Sequence, residues 1–161
     1  MARHSWLMLL FFLAACFGVA AIGSVWTSSS VNTWYAQLRK PALTPPGWIF
    51  APVWSVLYLS MAMAAWLVWR SAGWSSSRYA MVLFLVQLGL NCTWSGLFFG
   101  LRWPAAALAD ILLLLGAIVA TAIGFLPFSR TAFALMIPYA LWVAFASYLN
   151  FAIWRLNLGL K

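Results

Sequence analysis

Side chains able to form hydrogen bonds recur at helical spacing inside long apolar stretches of this sequence. Gln87, Asn91 and Trp94 fall at positions i, i+4 and i+7, which places them on one face of a helix, and Phe98 extends that face. An amide inside an apolar helix costs free energy unless it is paired or faces a cavity. The spacing therefore predicts that this face points into the protein.

Two further apolar stretches carry a comparable face. In the first, Trp54 and Tyr58 are four residues apart. The second is the stripe of Tyr139, Trp142, Ala146 and Asn150. Amides and hydroxyls on such faces can simply hydrogen-bond neighbouring helices, at about 0.6 kcal/mol on average. For Gln87 and Asn150 this packing role is as good an explanation as a ligand site, whereas the added indoles favour a lined pocket.

The sequence offers little for acid–base, nucleophilic or metal chemistry. It has one histidine, His4, and one acidic residue, Asp110, and neither belongs to a cluster with metal-ligand spacing. Asp110 lies near the start of an apolar stretch, where a structural role and a functional role both remain open. We therefore expect no metal and no obligatory cofactor, and whether the protein is an enzyme is uncertain.

Composition assigns these faces to a membrane protein. Two thirds of the residues (66%) are hydrophobic, 6% are charged, and the mean hydropathy is +0.98. An apolar excess of this size in 161 residues would leave large exposed patches in water. Lipid must therefore surround most of the surface.

Five apolar runs are long enough to cross a bilayer, which needs about 20 helical residues. They are residues 6–26, 48–69, 79–101, 104–126 and 131–154. Because unpaired backbone groups are not tolerated in lipid, runs of this length should be helices. The sequence predicts an all-α membrane protein, with residues 1–161 forming a single domain that is a compact bundle of five transmembrane helices.

The formal charge of +8 does not point to nucleic acid. The basic residues flank the predicted spans and divide almost evenly between the two sides, as expected for anchors at the lipid head groups, so orientation is not determined. Gly96 and Gly100 form a G-x-x-x-G pair on a different face from Asn91. Small residues at this spacing allow close helix contact, so we expect them at the interface of a homodimer.

Four motifs, in this order, resemble the translocator protein family, whose bacterial members are called tryptophan-rich sensory proteins and whose mitochondrial members were called peripheral benzodiazepine receptors. The motifs are Trp34-Tyr35-x-x-Leu38-x-Lys40-Pro41 with Pro45-Pro46, Trp54-x-x-x-Tyr58, Gln87-Leu88-x-x-Asn91-x-x-Trp94-x-x-x-Phe98-Phe99, and Pro138-Tyr139-x-x-Trp142-x-x-x-Ala146-x-x-Leu149-Asn150. The resemblance covers nearly the whole chain.

This resemblance implies a five-helix bundle, usually dimeric, with a ligand cavity under a long loop between the first two helices. The family binds porphyrins, haem-related tetrapyrroles and isoquinoline-carboxamide compounds. The positions matching its ligand site, together with those on the same helix faces, are Trp34, Tyr35, Trp54, Tyr58, Gln87, Asn91, Trp94, Phe98, Tyr139, Trp142 and Ala146. Cholesterol, bound by animal members, is a less favoured ligand because Phe151 stands where the sterol pattern needs tyrosine.

The loop can be interpreted as a lid over that cavity. Its prolines restrict its conformations, Trp34 and Tyr35 offer a flat apolar roof, and Arg39 and Lys40 offer cations at the rim for the two propionates of a porphyrin. Alternatively, the two cations only anchor the loop at the head groups.

The resulting functional prediction is a multi-pass membrane protein, most simply of a bacterial cell membrane, that binds porphyrin or haem as a sensor or regulator. One alternative is light-dependent porphyrin breakdown, in which Trp34 and Trp142 match the residues that the family implicates as catalytic. Another is porphyrin or sterol transport.

Overall fold

The computed structural model describes residues 2–159, and the side chains from residue 5 onward. Within that range every regular element is helical. The longer elements are α1 (Ala2–Ser30), α3 (Phe50–Ser95), α4 (Pro104–Phe125) and α5 (Arg130–Leu156). A short helix, α2 (Trp34–Gln37), a 3₁₀ turn (Gly47–Ile49) and a π-helical segment (Gly96–Gly100) complete the fold.

Four helical stretches are long and apolar enough to cross a bilayer. They are Ser5–Val31, Gly47–Gly100, Pro104–Phe125 and Arg130–Leu156. A helix pairs its backbone groups internally, which is what a hydrocarbon environment requires. The chain is therefore an all-α, integral, multi-pass membrane protein, as its composition predicts.

The predicted second and third spans belong to one continuous stretch. The sequence predicts a break over residues 70–78, yet the chain stays helical there except at Gly73, whose φ of 67° and ψ of 177° lie in a region essentially reserved for glycine. Tyr58 precedes Gly73 in the chain and Asn91 follows it, yet the Tyr58 hydroxyl donates a hydrogen bond to Oδ1 of Asn91. The Nε2 of Gln87, also after Gly73, likewise lies 3.8 Å from the sulfur of Met61, before it. The two halves of α3 therefore fold back on each other about Gly73.

Local signals account for the other helix ends. Pro104 lies in the first turn of α4, where its missing N–H is not needed. Ser129 caps α5 by accepting a hydrogen bond from the backbone N–H of Ala132 at 3.1 Å. Arg102 has a φ of 54°, and the N–H of Trp103 donates to the carbonyl of Leu97 at 3.0 Å, a helix-ending pattern usually made with glycine. These signals fix the starts of α4 and α5 and the end of the helical segment before Arg102.

The long central helix α3 organises the packing. It contacts α1, α4 and α5, and α4 also packs along α5. Its core includes Phe12 of α1, Phe84 of α3 and Phe125 of α4, all about 1% exposed or less. The helix α3 therefore packs against each of the other long helices, and this packing positions the cavity described below.

We predict that Gly73→Ala destabilises the protein by about 1–3 kcal/mol, because a side chain is strained in that backbone conformation. The free energy of unfolding in detergent micelles measures the change. Gly89→Ala is the matched control, since Gly89 lies in the helical part of α3 with open space where a Cβ would go. There alanine should be neutral, or stabilising by about 0.5–1 kcal/mol. Equal losses in both variants would contradict the special role of Gly73.

Candidate functional site

A cavity of about 690 Å³ lies between α1, both halves of α3, α5 and the segment of residues 31–47 that joins α1 to α3. This volume falls within the range of about 300–1,000 Å³ typical of small-molecule sites. The part of α1 that lines it extends from Phe17 to Ser28, and the first half of α3 contributes residues from Phe50 to Tyr58. The cavity therefore occupies the end of the bundle next to the connecting segment.

Three indoles from different parts of the chain form its walls. Trp54 lies on the first half of α3, Trp94 on the second half, and Trp142 on α5. The ring of Trp94 stacks on Phe98 at 5.4 Å between centroids, with an interplanar angle of 24°. The ring of Trp54 lies 5.6 Å from that of Tyr58. Such walls suit a flat apolar molecule.

A hydrogen-bonded layer closes the inner end of the cavity. Asn91 accepts from the Tyr58 hydroxyl through Oδ1, and its Nδ2 donates to the Tyr139 hydroxyl at 3.0 Å. We call Tyr58, Asn91 and Tyr139 the cavity floor. Because the three residues come from both halves of α3 and from α5, one amide connects three helical segments at this depth.

A second amide fixes the orientation of one wall. The Nε1 of Trp94 donates to Oδ1 of Asn150 at 3.0 Å. The Nδ2 of Asn150 donates in turn to the carbonyl of Pro104, at the start of α4, at 2.8 Å. Trp94 is therefore held by a hydrogen bond as well as by stacking.

Most of the predicted site residues meet at this cavity. The predicted residues that line it are Tyr35, Lys40, Trp54, Tyr58, Asn91, Trp94, Phe98, Trp142 and Ala146. Asn150, from the predicted α5 stripe, lines it as well. The helical spacing therefore identifies the inward faces of α3 and α5.

The structure separates four predicted site residues from the cavity lining. Gln87 lies one turn beyond the floor, beside Met61, and Tyr139 is fully buried behind Asn91. Trp34 packs edge-on against the ring of Phe98 at 5.7 Å, so Phe98 stands between it and the cavity. Arg39 is exposed.

The connecting segment lies over the cavity mouth, where Lys40 is its charged lining residue. The Nζ of Lys40 donates to the carbonyls of Leu38 at 3.2 Å and Ala36 at 3.3 Å, and lies 4.7 Å from the ring centroid of Tyr35. Burial raises the pKa of the Tyr35 phenol, so this ring stays neutral beneath the cation. An ammonium has three N–H donors, which leaves one for a ligand.

A pair of hydrogen bonds that sequence reasoning missed attaches this segment to the end of α5; we call this pair the clasp. Asn157 accepts from the backbone N–H of Arg39 at 3.0 Å, and its Nδ2 donates to the Arg39 carbonyl at 2.9 Å. The two residues are separated by most of the chain, and no local pattern reveals such a pairing. Arg39 therefore attaches the segment to α5 through its backbone, and its exposed side chain is not part of the cavity lining.

Sequence reasoning also missed the hydroxyls on the wall formed by α1. Ser24, Thr27 and Ser28 line the cavity, and each bonds to a backbone carbonyl of its own helix at 2.7–3.0 Å. The cluster of serines and threonines between residues 24 and 30 was the available signal. These residues make the outer part of the cavity more polar than its aromatic interior.

The Gly96 and Gly100 pair lies beside an indole of the same chain, and its expected role at a subunit interface stays a prediction. A Cβ at Gly96 would lie 3.4 Å from the ring of Trp26, and one at Gly100 would lie 3.2 Å from it. The two glycines thus let the indole of α1 approach the backbone. Dimerisation itself stays a prediction.

Asp110 lies outside the cavity. Asp110 is 7% exposed, and its Oδ2 has no hydrogen-bond partner within the part of the chain that the structure describes. The lining includes no residue of α4. Asp110 is therefore not part of the cavity lining.

Comparison with known proteins agrees with these features. The TspO/MBR family matches residues 12–155 of the chain. The "Tryptophan-rich protein TspO" of Archaeoglobus fulgidus is 42% identical over 145 residues, covering 90% of this chain and 94% of that protein. The "Translocator protein" of Homo sapiens is 39% identical over 140 residues, covering 86% and 83%. The "Tryptophan-rich sensory protein" of Cereibacter sphaeroides is 36% identical over 152 residues, covering 94% and 92%.

We predict that Asn91→Leu destabilises the bundle by about 1–2 kcal/mol, since it removes two interhelical hydrogen bonds from the cavity floor. The free energy of unfolding in micelles is the measurement. Thr93→Val is the control on the same helix, because Thr93 is exposed and its hydroxyl bonds only to the carbonyl of Gly89. A loss for Thr93→Val as large as that for Asn91→Leu would show that the floor is not a special point of attachment.

Proposed function

Because the chain belongs to the TspO/MBR family, we propose that it is a membrane sensor or regulator whose cavity binds a tetrapyrrole such as a porphyrin or haem. The observation that carries this proposal is the cavity of about 690 Å³ walled by Trp54, Trp94 and Trp142. A tetrapyrrole is a large aromatic plane, and indoles favour stacked and edge-on contact with such planes. Compounds of the isoquinoline-carboxamide type meet the same requirement.

The polarity of the cavity supports the same choice. Its interior is aromatic, whereas Lys40 and the hydroxyls of α1 lie toward the mouth. A porphyrin with two propionates has the matching division, because its ring is apolar and its two carboxylates are at one edge. Charge-assisted hydrogen bonds to carboxylates are among the stronger polar contacts in proteins.

The proposal includes five membrane crossings, with the two halves of α3 crossing separately on either side of Gly73. The segment of residues 31–47 then serves as the roof of the cavity. A homodimer in a bacterial cell membrane belongs to the same proposal. Gly100 is exposed beside Trp26, so the Gly96 and Gly100 pair is the proposed place of contact with the second subunit.

Light-dependent porphyrin breakdown is a second candidate, favoured by the position of Trp142 in the cavity wall. A bound porphyrin would absorb the light and accept an electron from an adjacent indole, and dioxygen would be the oxidant that the breakdown of the ring requires. Trp34 is separated from the cavity by Phe98, so the geometry supports Trp142 more strongly than Trp34 in this role.

We predict saturable binding of protoporphyrin to the purified protein, weakened at least about tenfold, or about 1.4 kcal/mol, by Trp54→Leu. The reason is the loss of an aromatic wall, and a titration followed by porphyrin absorbance measures it. Trp48→Leu removes an indole that is 75% exposed and outside the cavity lining, so it should leave the affinity unchanged. Non-saturable uptake, or equal effects of the two substitutions, would contradict binding in this cavity.

We predict that Lys40→Ala weakens protoporphyrin binding by about tenfold, since one charge-assisted hydrogen bond contributes about 1.5–3 kcal/mol. The neutral dimethyl ester of protoporphyrin should bind both proteins almost equally. Arg39→Ala is the matched control, because it removes a neighbouring cation that is exposed and outside the lining. If Arg39→Ala lowered the affinity as much, the cations would act by general attraction at the head groups.

A further inference from the structure

A second hollow opens on the outer surface of the bundle, between the start of α3 and the middle of α5. It is a groove of about 590 Å³. The residues that define it here are Val53, Val56, Pro138, Leu141, Trp142 and Phe145. Val56 is 61% exposed and Leu141 is 67% exposed on membrane-spanning helices, so the groove faces the bilayer.

The groove and the inner cavity have one lining residue in common. Trp142 lines both hollows. Its ring lies 5.9 Å from Phe50, which lines the cavity, and 5.8 Å from Phe145, which lines the groove. A continuous series of aromatic rings therefore leads from the lipid face to the interior, with Trp142 as the wall between them.

The Trp142 wall is held less firmly than the comparable wall formed by Trp94. Trp94 donates its indole N–H to Asn150, whereas Nε1 of Trp142 is buried with no hydrogen-bond partner among the described side chains. An unpaired buried donor costs about 1–3 kcal/mol, and a rotation of this ring would break no hydrogen bond of its indole. Packing alone keeps Trp142 in place.

The backbone beside the groove is also weakened. Pro138 lies inside α5, one turn before Trp142, and has no N–H to donate to the carbonyl of Ala134. The helix therefore lacks one stabilising bond where the groove meets α5. This missing bond makes local adjustment of α5 easier beside the Trp142 wall.

The mouth of the cavity, in contrast, is fastened. Asn157 clasps the backbone of Arg39 on both sides, and Lys40 bonds back to its own segment. Opening this side requires several hydrogen bonds to break. There are two routes into the cavity, one past the connecting segment and one through the groove. The route through the groove breaks no hydrogen bond of the Trp142 indole.

We propose that the groove is a lateral portal, through which a planar apolar ligand dissolved in the bilayer reaches the cavity as the Trp142 ring moves aside. The occupant of the groove is that ligand, because the groove adjoins the cavity and its lining is apolar. This inference rests on the proposed function, since it requires that the cavity binds such a ligand.

The test is to obstruct the groove without touching the cavity. Leu141→Trp adds bulk at a residue that lines only the groove, and Leu113→Trp adds the same bulk at a residue of α4 that is 66% exposed and lines neither hollow. The probe is the dimethyl ester of protoporphyrin in proteoliposomes, with association and dissociation followed by its absorbance. Leu141→Trp should slow both rates by about tenfold and leave the dissociation constant unchanged, because a blocked route alters the barrier and not the end states.

Two further variants separate the possible outcomes. Val56→Phe obstructs the groove from α3 and should slow the same two rates, while Leu113→Trp should change neither. Unchanged rates in both obstructed variants, with faster exchange in Asn157→Ala, would overturn the portal and establish access past the connecting segment. A changed affinity with an unchanged association rate would also overturn it. Absence of saturable binding in the unsubstituted protein would overturn the proposed function and the portal together.

Discussion

The requirement that buried polar groups find partners inside the protein governs the arrangement of this bundle. Lipid offers no hydrogen bonds, so the amide of Asn91 must be satisfied by other helices, and it is satisfied by Tyr58 on one side and Tyr139 on the other. That pairing holds the two halves of α3 and α5 at a fixed separation. Above the floor, the same helices carry wide aromatic side chains that leave a cavity between them.

The glycine at position 73 makes this pairing geometrically possible. A continuous helix would carry Tyr58 and Asn91 about 50 Å apart, at 1.5 Å of rise per residue. A single residue with a positive φ reverses the direction of the chain and brings them into contact. The cavity floor thus depends on one backbone conformation that lies more than one helical turn away from every residue of the floor.

The sequence predicted well which helix faces point inward. It predicted poorly which residues of those faces lie at the cavity and which lie beyond its floor. Spacing at i, i+4 and i+7 identified the face of α3 that carries Asn91 and Trp94, because helical geometry alone sets direction. It could not tell that Gln87, on the same face, lies beyond the floor, since the position of the floor depends on the partners that other helices present. The clasp made by Asn157 and the contact of Trp26 with Gly96 and Gly100 depend in the same way on tertiary packing.

The three cavity indoles show that residues of one type, found by one kind of spacing, can have different freedom of movement. Trp94 is attached to Asn150, which is itself attached to the start of α4, so moving its ring would disturb two helices. Trp142 has no such attachment and stands between the cavity and the lipid-facing groove. A binding site needs rigid walls for affinity and at least one movable wall for exchange. In the proposed site, the difference in hydrogen bonding between Trp94 and Trp142 would supply both properties without any additional element.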